Sequence, residues 1–276
     1  MNSSLGPAVS ESFLDFFVAE NSHPVLRNWF LVSSPWPSVA TSILYLLFAL
    51  VIGPAFMANK KPYEIKGIMN LYNVVQVVSN VYFLHGYWTN GWGSYYNWAC
   101  QPVDMDPDPN SMAMRFNLVS YHGYLFRYVD MCDTFFFVAR KKYRNVNVLQ
   151  LFHHAVMPIF GWMLVYWTPN GHESFGQIVN ALVHAIMYTY YFLAAMEVDR
   201  KYLWWKRYLT QLQLIQFVSC LLKSVVVIAG ISDCGFPWQT SLVSVTLALM
   251  LIGLFGHFYV QEYTLKKKGG GSAKSD

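Results

Sequence analysis

Residues 148–163 read "VLQLFHHAVMPIFGWM", an apolar run that holds Gln150, His153 and His154. Imidazole, with an ordinary pKa of about 6.5, can attack an acyl carbon or carry a proton near neutral pH. Three further stretches carry polar side chains at helical spacing. "RYVDMCDT" sets Arg127, Asp130, Asp133 and Thr134 three or four residues apart, which predicts one helical face. "NALVHAIMYTYY" aligns Asn180, His184, Met187, Tyr188 and Tyr191, and "TQLQLIQ" aligns Thr210, Gln213 and Gln216. A carboxylate beside an imidazole can fix its orientation, as in a catalytic triad. Amide and imidazole donors can hold a developing oxyanion or enolate. Taken singly, each group also fits a plainer role, an Arg127–Asp130 ion pair or a helix–helix hydrogen bond. Two acids against one base leave a carboxylate in search of another partner, and four consecutive stripes favour a shared site.

These stripes need helices to hold them. The chain of 276 residues is 55% hydrophobic and 12% charged, against about a quarter charged in a soluble domain. Apolar runs of roughly 20 residues fall at 37–57, 67–89, 117–139, 146–167, 176–196, 208–231 and 239–263. They predict an all-α membrane protein with seven transmembrane helices. The first run starts too late, and lacks the basic flank, for a cleaved signal peptide. Fifteen of the 19 Lys and Arg lie at alternate ends of the spans: Lys60, Lys61 and Lys66; Arg140, Lys141, Lys142 and Arg144; Arg200, Lys201, Lys206 and Arg207; Lys266, Lys267, Lys268 and Lys274. By the positive-inside rule that side is cytosolic. The chain then divides into a luminal segment 1–36, a seven-span unit 37–263 and a cytosolic basic tail 264–276. The net charge of +4 is a topology signal, and nothing in it calls for nucleic acid.

Depth points the same way. At about 1.5 Å per residue, His153 and Asp133 lie roughly 10 Å from the cytosolic ends of their spans, Gln213 about 9 Å and His184 about 20 Å. The polar groups therefore converge beneath a basic rim, with aliphatic and aromatic surface beyond them. A ligand with an anionic head and a long hydrocarbon tail, such as acyl-CoA, fits that order. Cys132 and Cys220 fall inside spans. Cys100 and Cys234 fall in two loops of the luminal side, where either a disulfide or two free thiols is open and a bridge is expected. Asn2 heads the single glycosylation sequon, and Lys223, inside the sixth span, has no evident partner. A di-iron membrane enzyme needs more histidine than the eight present. A receptor or transporter would open its polar chamber to the outside.

With these motifs in view, the chain resembles the ELO-type elongases of very-long-chain fatty acids. That family carries, in order, KxxExxDT, HxxHH, NxxxHxxMYxYY and TxxQxxQ. Here they read Arg127 to Thr134, Gln150 to His154, Asn180 to Tyr191 and Thr210 to Gln216. The likeness runs from about residue 25 to about residue 265. It implies seven helices, six of them an inverted three-plus-three barrel around a substrate tunnel, in the endoplasmic reticulum membrane. It implies condensation of a long-chain acyl-CoA with malonyl-CoA to 3-oxoacyl-CoA, CoA and carbon dioxide. The family's route passes through an acyl-imidazole, at His153 here, with His184 beside it for the condensation. His154, Asp130, Asp133 and Asn180 complete the expected catalytic set, His154 mainly by tying its helix to a neighbour through a buried hydrogen bond. Arg127, Gln150, Tyr188, Tyr191, Gln213 and Gln216 are expected to contact substrate, and Arg140, Lys141, Lys142 and Lys206 to hold CoA phosphates. No metal or permanently bound cofactor is expected; partners would be other enzymes of the elongation cycle and a second copy of the chain. Three positions depart from the pattern: Arg127 for Lys, Asp130 for Glu, and Gln150 for the first box histidine. Glutamine hydrogen-bonds but carries no proton, so a catalytically impaired paralogue is the alternative to an active enzyme.

Overall fold

The computed structural model describes residues 13–232 and 234–265, and all regular structure among them is helical. The Asn2 sequon, Lys266–Lys268 and Lys274 lie outside the described residues. After a one-turn helix at Phe13–Phe16, eight longer helices follow: α1 (Trp36–Met57), α2 (Lys66–Tyr87), α3 (Met112–Asp130), α4 (Cys132–Ala139), α5 (Val148–Trp167), α6 (Ser174–Ala195), α7 (Lys206–Ile228) and α8 (Trp238–Leu265). Helix starts obey local rules. Ser111 accepts a hydrogen bond from the Met114 amide to cap α3, and Asn147 accepts from the Gln150 amide to cap α5. Pro158 lies inside α5 and removes the amide that would bond the His154 carbonyl, one turn beyond the histidine pair.

Five of these helices, α1, α5, α6, α7 and α8, are long and apolar enough to cross a membrane. The α2 helix is as long, yet it carries Asn70, Asn73, Gln76 and Asn80. The expected span 117–139 is not continuous. A single turn residue, Met131, interrupts it between α3 and α4; Arg127, Asp130 and Asp133 face α2 and α6, and Thr134 alone turns toward α1. Arg127 reaches α6, Asp130 reaches α2, Asp133 reaches α6 further along, and Thr134 bonds Tyr45 on α1.

Packing runs α5 to α3, α3 to α2, α2 to α6, α6 to α7, α7 to α8 and α8 back to α5, with α1 set against the outside of α5. Apolar clusters fill the junctions, among them Phe83, Tyr87, Phe116 and Ile178 between α2, α3 and α6, and Phe217, Leu247 and Leu251 between α7 and α8. One end of the bundle is capped. There Cys100 and Cys234 form a disulfide with Cα atoms 5.8 Å apart. Lys223, read from sequence as lacking a partner, donates to the carbonyl oxygens of Trp98 (2.5 Å) and Ala99 (3.5 Å). His23 anchors the N-terminal segment through Asn117, which accepts from Asn170; Asn170 in turn pairs with the backbone of Asp104. The other end carries the basic residues and is open.

Candidate functional site

Two cavities meet inside the helix circuit. The larger, about 610 Å³, opens at the basic end and is lined by polar side chains of α2 and of α4 to α8. The smaller, about 140 Å³, continues toward the disulfide end between Phe83, Met157, Phe160, Leu164, Leu247 and Leu251. His153, Asn180, Gln216 and Phe217 line both cavities and so form the neck between them. A molecule with a polar head and an apolar tail would place its junction there.

A buried polar network sets the neck. Arg127 Nη1 donates to Asn180 Oδ1 at 3.1 Å and lies 3.2 Å from Asp130 Oδ2; Arg127 Nε donates to the Gly123 carbonyl. Guanidinium has donors only, so it fixes Asn180 with its oxygen toward Arg127 and its NH₂ group free for the neck. Asp130 also accepts from Gln76 Nε2 at 2.8 Å, and Gln76 donates to the Tyr72 hydroxyl at 3.0 Å. Asp130 therefore lines neither cavity and holds the framework. Asp133 lines the chamber and accepts from the Tyr188 hydroxyl at 2.9 Å, while the Tyr188 ring stands 5.8 Å from that of His184. The two acids, one turn apart, thus have different duties.

The histidines differ in surroundings. His153 keeps accessible surface on the cavity side, and its buried Nδ1 has no hydrogen-bond partner. His184, buried within α6, also has an unpartnered Nδ1. The rings of His153 and His154 lie 5.4 Å apart at 89°. His154 was expected to be tied by a hydrogen bond to a neighbouring helix. Among the described residues it makes none; it lines the chamber and faces the Tyr45 ring at 6.2 Å.

Arg140, Lys142 and Lys206 stand in the chamber wall at its basic end, together with Lys66 from α2. Lys141 does not join them. It takes φ +54°, the conformation that closes a helix end, and its Nζ donates to the Ala58 carbonyl at 3.0 Å. Acidic side chains interleave with the bases: Lys66 pairs with Glu197 at 2.9 Å, and Glu262 lies 3.6 Å from Arg144 and 3.9 Å from Lys206. The Lys66 ammonium holds the Glu197 carboxyl below the usual range.

Of the side chains singled out from sequence, Asp133, Gln150, His153, His154, Asn180, His184, Tyr188, Tyr191, Gln213 and Gln216 share the chamber, Arg127 lines the tunnel, and Asp130 and Lys141 line neither. Sequence reading missed Lys66 as a chamber residue, although its basic cluster had been noted. It also missed Glu173, Gln177 and Ser244 in the tunnel wall. Glu173 stands at the start of a span, where an acid reads as a boundary residue. Among the described residues no group of three His, Cys, Asp or Glu side chains is placed to hold a metal ion.

Comparison with known proteins gives the family. Residues 30–271 match the model of the ELO, GNS1/SUR4 family. The chain is 38% identical over 249 residues to very long chain fatty acid elongase 7 of Drosophila melanogaster, covering 90% of this chain and 74% of that protein. It is 36% identical to elongase 7 of Rattus norvegicus, covering 89% and 87%, and 34% identical to elongase 5 of Mus musculus, covering 90% and 81%.

Proposed function

The chain belongs to the GNS1/SUR4 family of very-long-chain fatty acid elongases, and from that premise we propose that it condenses a long-chain acyl-CoA with malonyl-CoA. The products are 3-oxoacyl-CoA, free CoA and carbon dioxide. The observation that carries this reading is the neck, where an imidazole with an unpartnered nitrogen and an oriented amide stand between a polar chamber and an apolar tunnel. The acyl tail occupies the tunnel, and the thioester sits at His153. One His153 ring nitrogen attacks the thioester carbon, the C–S bond breaks, and the departing thiolate takes the imidazole proton to leave as CoA. The acyl group then rests on the ring.

Malonyl-CoA enters the chamber next. Loss of carbon dioxide leaves an enolate, whose oxygen is held by the Asn180 NH₂ group and by His184. The enolate carbon attacks the acyl carbon, the bond to His153 breaks, and the ring regains one proton from the chamber. Asp133 acts on His184 at one remove, by fixing the Tyr188 ring beside it. Arg140, Lys142, Lys206 and Lys66 receive the CoA phosphates, displacing the acidic partners of the last two. The closed circuit of six helices supports a reading with seven membrane crossings, α2 being one and α3 with α4 another, in an inverted three-plus-three arrangement. The basic end then faces the cytosol and the disulfide end the lumen of the endoplasmic reticulum.

Radiolabelled malonyl-CoA incorporation in microsomes containing the chain tests the activity. Mass spectrometry after incubation with acyl-CoA alone tests the route. An acyl adduct that persists in His153→Ala would move the nucleophile elsewhere, and no adduct in any variant would favour direct condensation.

A further inference from the structure

The far end of the tunnel is polar in a way that an alkyl chain does not require. Glu173, immediately before α6, lies deep in the bundle, yet its side chain keeps accessible surface and lines the tunnel. Ser224 of α7 donates to Glu173 Oε2 at 3.0 Å, and Ser241 of α8 donates to Oε1 at 2.7 Å. A carboxylate group accepts about four hydrogen bonds, so these two leave capacity unused. Ser244, 8% exposed and also in the wall, faces the same carboxyl without closing a hydrogen bond of normal geometry.

One turn along α6, on the same helical face, Gln177 also lines the tunnel. Its Oε1 accepts from Ser120 at 2.9 Å, which leaves the Gln177 NH₂ group as a donor. An acceptor and a donor one turn apart match a hydroxyl, which gives one hydrogen bond and receives another. A methyl terminus there would leave both groups unanswered, and burying unmatched polar atoms is unfavourable. A terminal carboxylate would meet the Glu173 carboxyl with like charge.

We propose that the tunnel's end, formed by Glu173, Gln177 and Ser244, is a recognition site for the hydroxyl of an ω-hydroxyacyl chain. The inference rests on the elongase reading for the position of the thioester at the neck. On α5 the tunnel runs from His153 to Val165, and on α6 from Asn180 to Glu173. Those intervals correspond to roughly 18 and 10 Å along the helices. An extended chain of ~1.52 Å bonds advances about 1.25 Å per carbon. Those straight-line intervals equal about 8 to 14 carbons at that advance, which sets the shortest chain whose hydroxyl reaches Glu173.

The test uses the purified full chain in detergent. Binding is measured for thioether CoA analogues that cannot transfer their acyl group, 8 to 16 carbons long, ending in methyl, hydroxyl or carboxylate. Malonyl-CoA incorporation is measured in parallel with the matching thioesters. The hydroxyl series should bind about tenfold more tightly than the methyl series at the best length, the ratio that one hydrogen bond to a charged group supplies. The carboxylate series should gain nothing. Glu173→Gln should reduce the preference and Gln177→Leu should remove part of it. Equal binding of hydroxyl and methyl chains by the unaltered protein at every length would overturn the site, whatever the variants do. Elongation without hydroxyl preference would sink this inference alone. Hydroxyl preference in binding without elongation of any chain would uphold the site and remove the elongase reading.

Discussion

His23 and the chamber histidines pose the same physical problem with opposite solutions. His23 at the disulfide end is fully buried, and partners surround it: the amides of Val25 and Leu26 stand 3.3 Å from Nδ1, and Asn117 Nδ2 stands 3.2 Å from Nε2. His153 and His184 each leave Nδ1 buried and without a partner, beside a cavity large enough for a substrate. Burial alone therefore does not mark the functional imidazole. The mark is an unmet hydrogen-bonding group held next to open space, since the fold leaves to the ligand what it would otherwise satisfy itself.

The largest expected effect separates the two kinds directly. His153→Ala removes a side chain whose Nδ1 bonds nothing in the fold. Incorporation of malonyl-CoA should fall by about a thousandfold or more, while the melting temperature in detergent moves by less than roughly 3 °C. A melting temperature that collapses along with activity would put His153 in the same class as His23, and the contrast would fail.

Next comes the residue that aims the neck without reacting. Arg127→Met leaves Asp130 buried with Gln76 as its remaining partner and frees the Asn180 amide to turn over. Breaking a buried pair by removing one partner is destabilising by about 3–5 kcal/mol, which predicts a drop in melting temperature on the order of 10 °C for a chain of this size. Arg127→Lys keeps the charge but loses the planar fork that holds Asn180 and Asp130 together. It should retain most of the stability and lose part of the activity. If the lysine variant matched the parent in both, Arg127 would be acting as a charge and not as a positioner of the amide.

A smaller effect is expected from pH, and it should arise at His23. Burial lowers the His23 pKa from 6.5 to about 4, with nearby Asp106 opposing the shift in part. The folded state thus binds the proton more weakly than the unfolded chain. The stability contributed by neutral His23 is fully present above pH 6.5, and it is lost as pH falls toward 4. The full difference is about 3 kcal/mol. Thermal unfolding between those limits should show this slope in the parent and a shallower one in His23→Gln. An unchanged slope in the variant would show that other groups drive the acid sensitivity.

Sequence alone carried the stripes because helical spacing needs only local information. Gln150, His153, His184, Gln213 and Gln216 were legible as one chamber for that reason, and the basic clusters disclosed which end is open. The two aspartates were not separable. Asp130 and Asp133 lie three apart on one face, and which neighbouring helix each meets, Gln76 of α2 or Tyr188 of α6, is set by tertiary packing. Lys141 read as a rim residue among four bases, but its left-handed backbone at the end of α4 turns it to Ala58. Glu173 stayed hidden because its meaning depends on Ser224 and Ser241, 51 and 68 positions away. Tertiary partners at that separation leave no local pattern.

The smallest effect belongs to Gln150, where the family's box has a histidine. Gln150 stands in the first turn of α5, its amide capped by Asn147 Oδ1 at 3.0 Å, and its side chain lines the chamber but not the tunnel. It precedes His153 by about 4.5 Å of helix rise, on the open side of the neck. A group there can orient the incoming CoA thioester, yet the neck itself is complete without it. Gln150→His should therefore change the rate by less than about threefold and stability by less than about 0.5 kcal/mol. Steady-state incorporation and thermal unfolding, run on both proteins at several pH values, check this. A rise of about thirtyfold or more, some 2 kcal/mol of transition-state stabilisation, together with a new limb in the pH profile, would give the first box position a proton-carrying role. The unmodified chain would then be the impaired paralogue, and the contrast between bonded and unbonded histidines would need a third member at the chamber mouth.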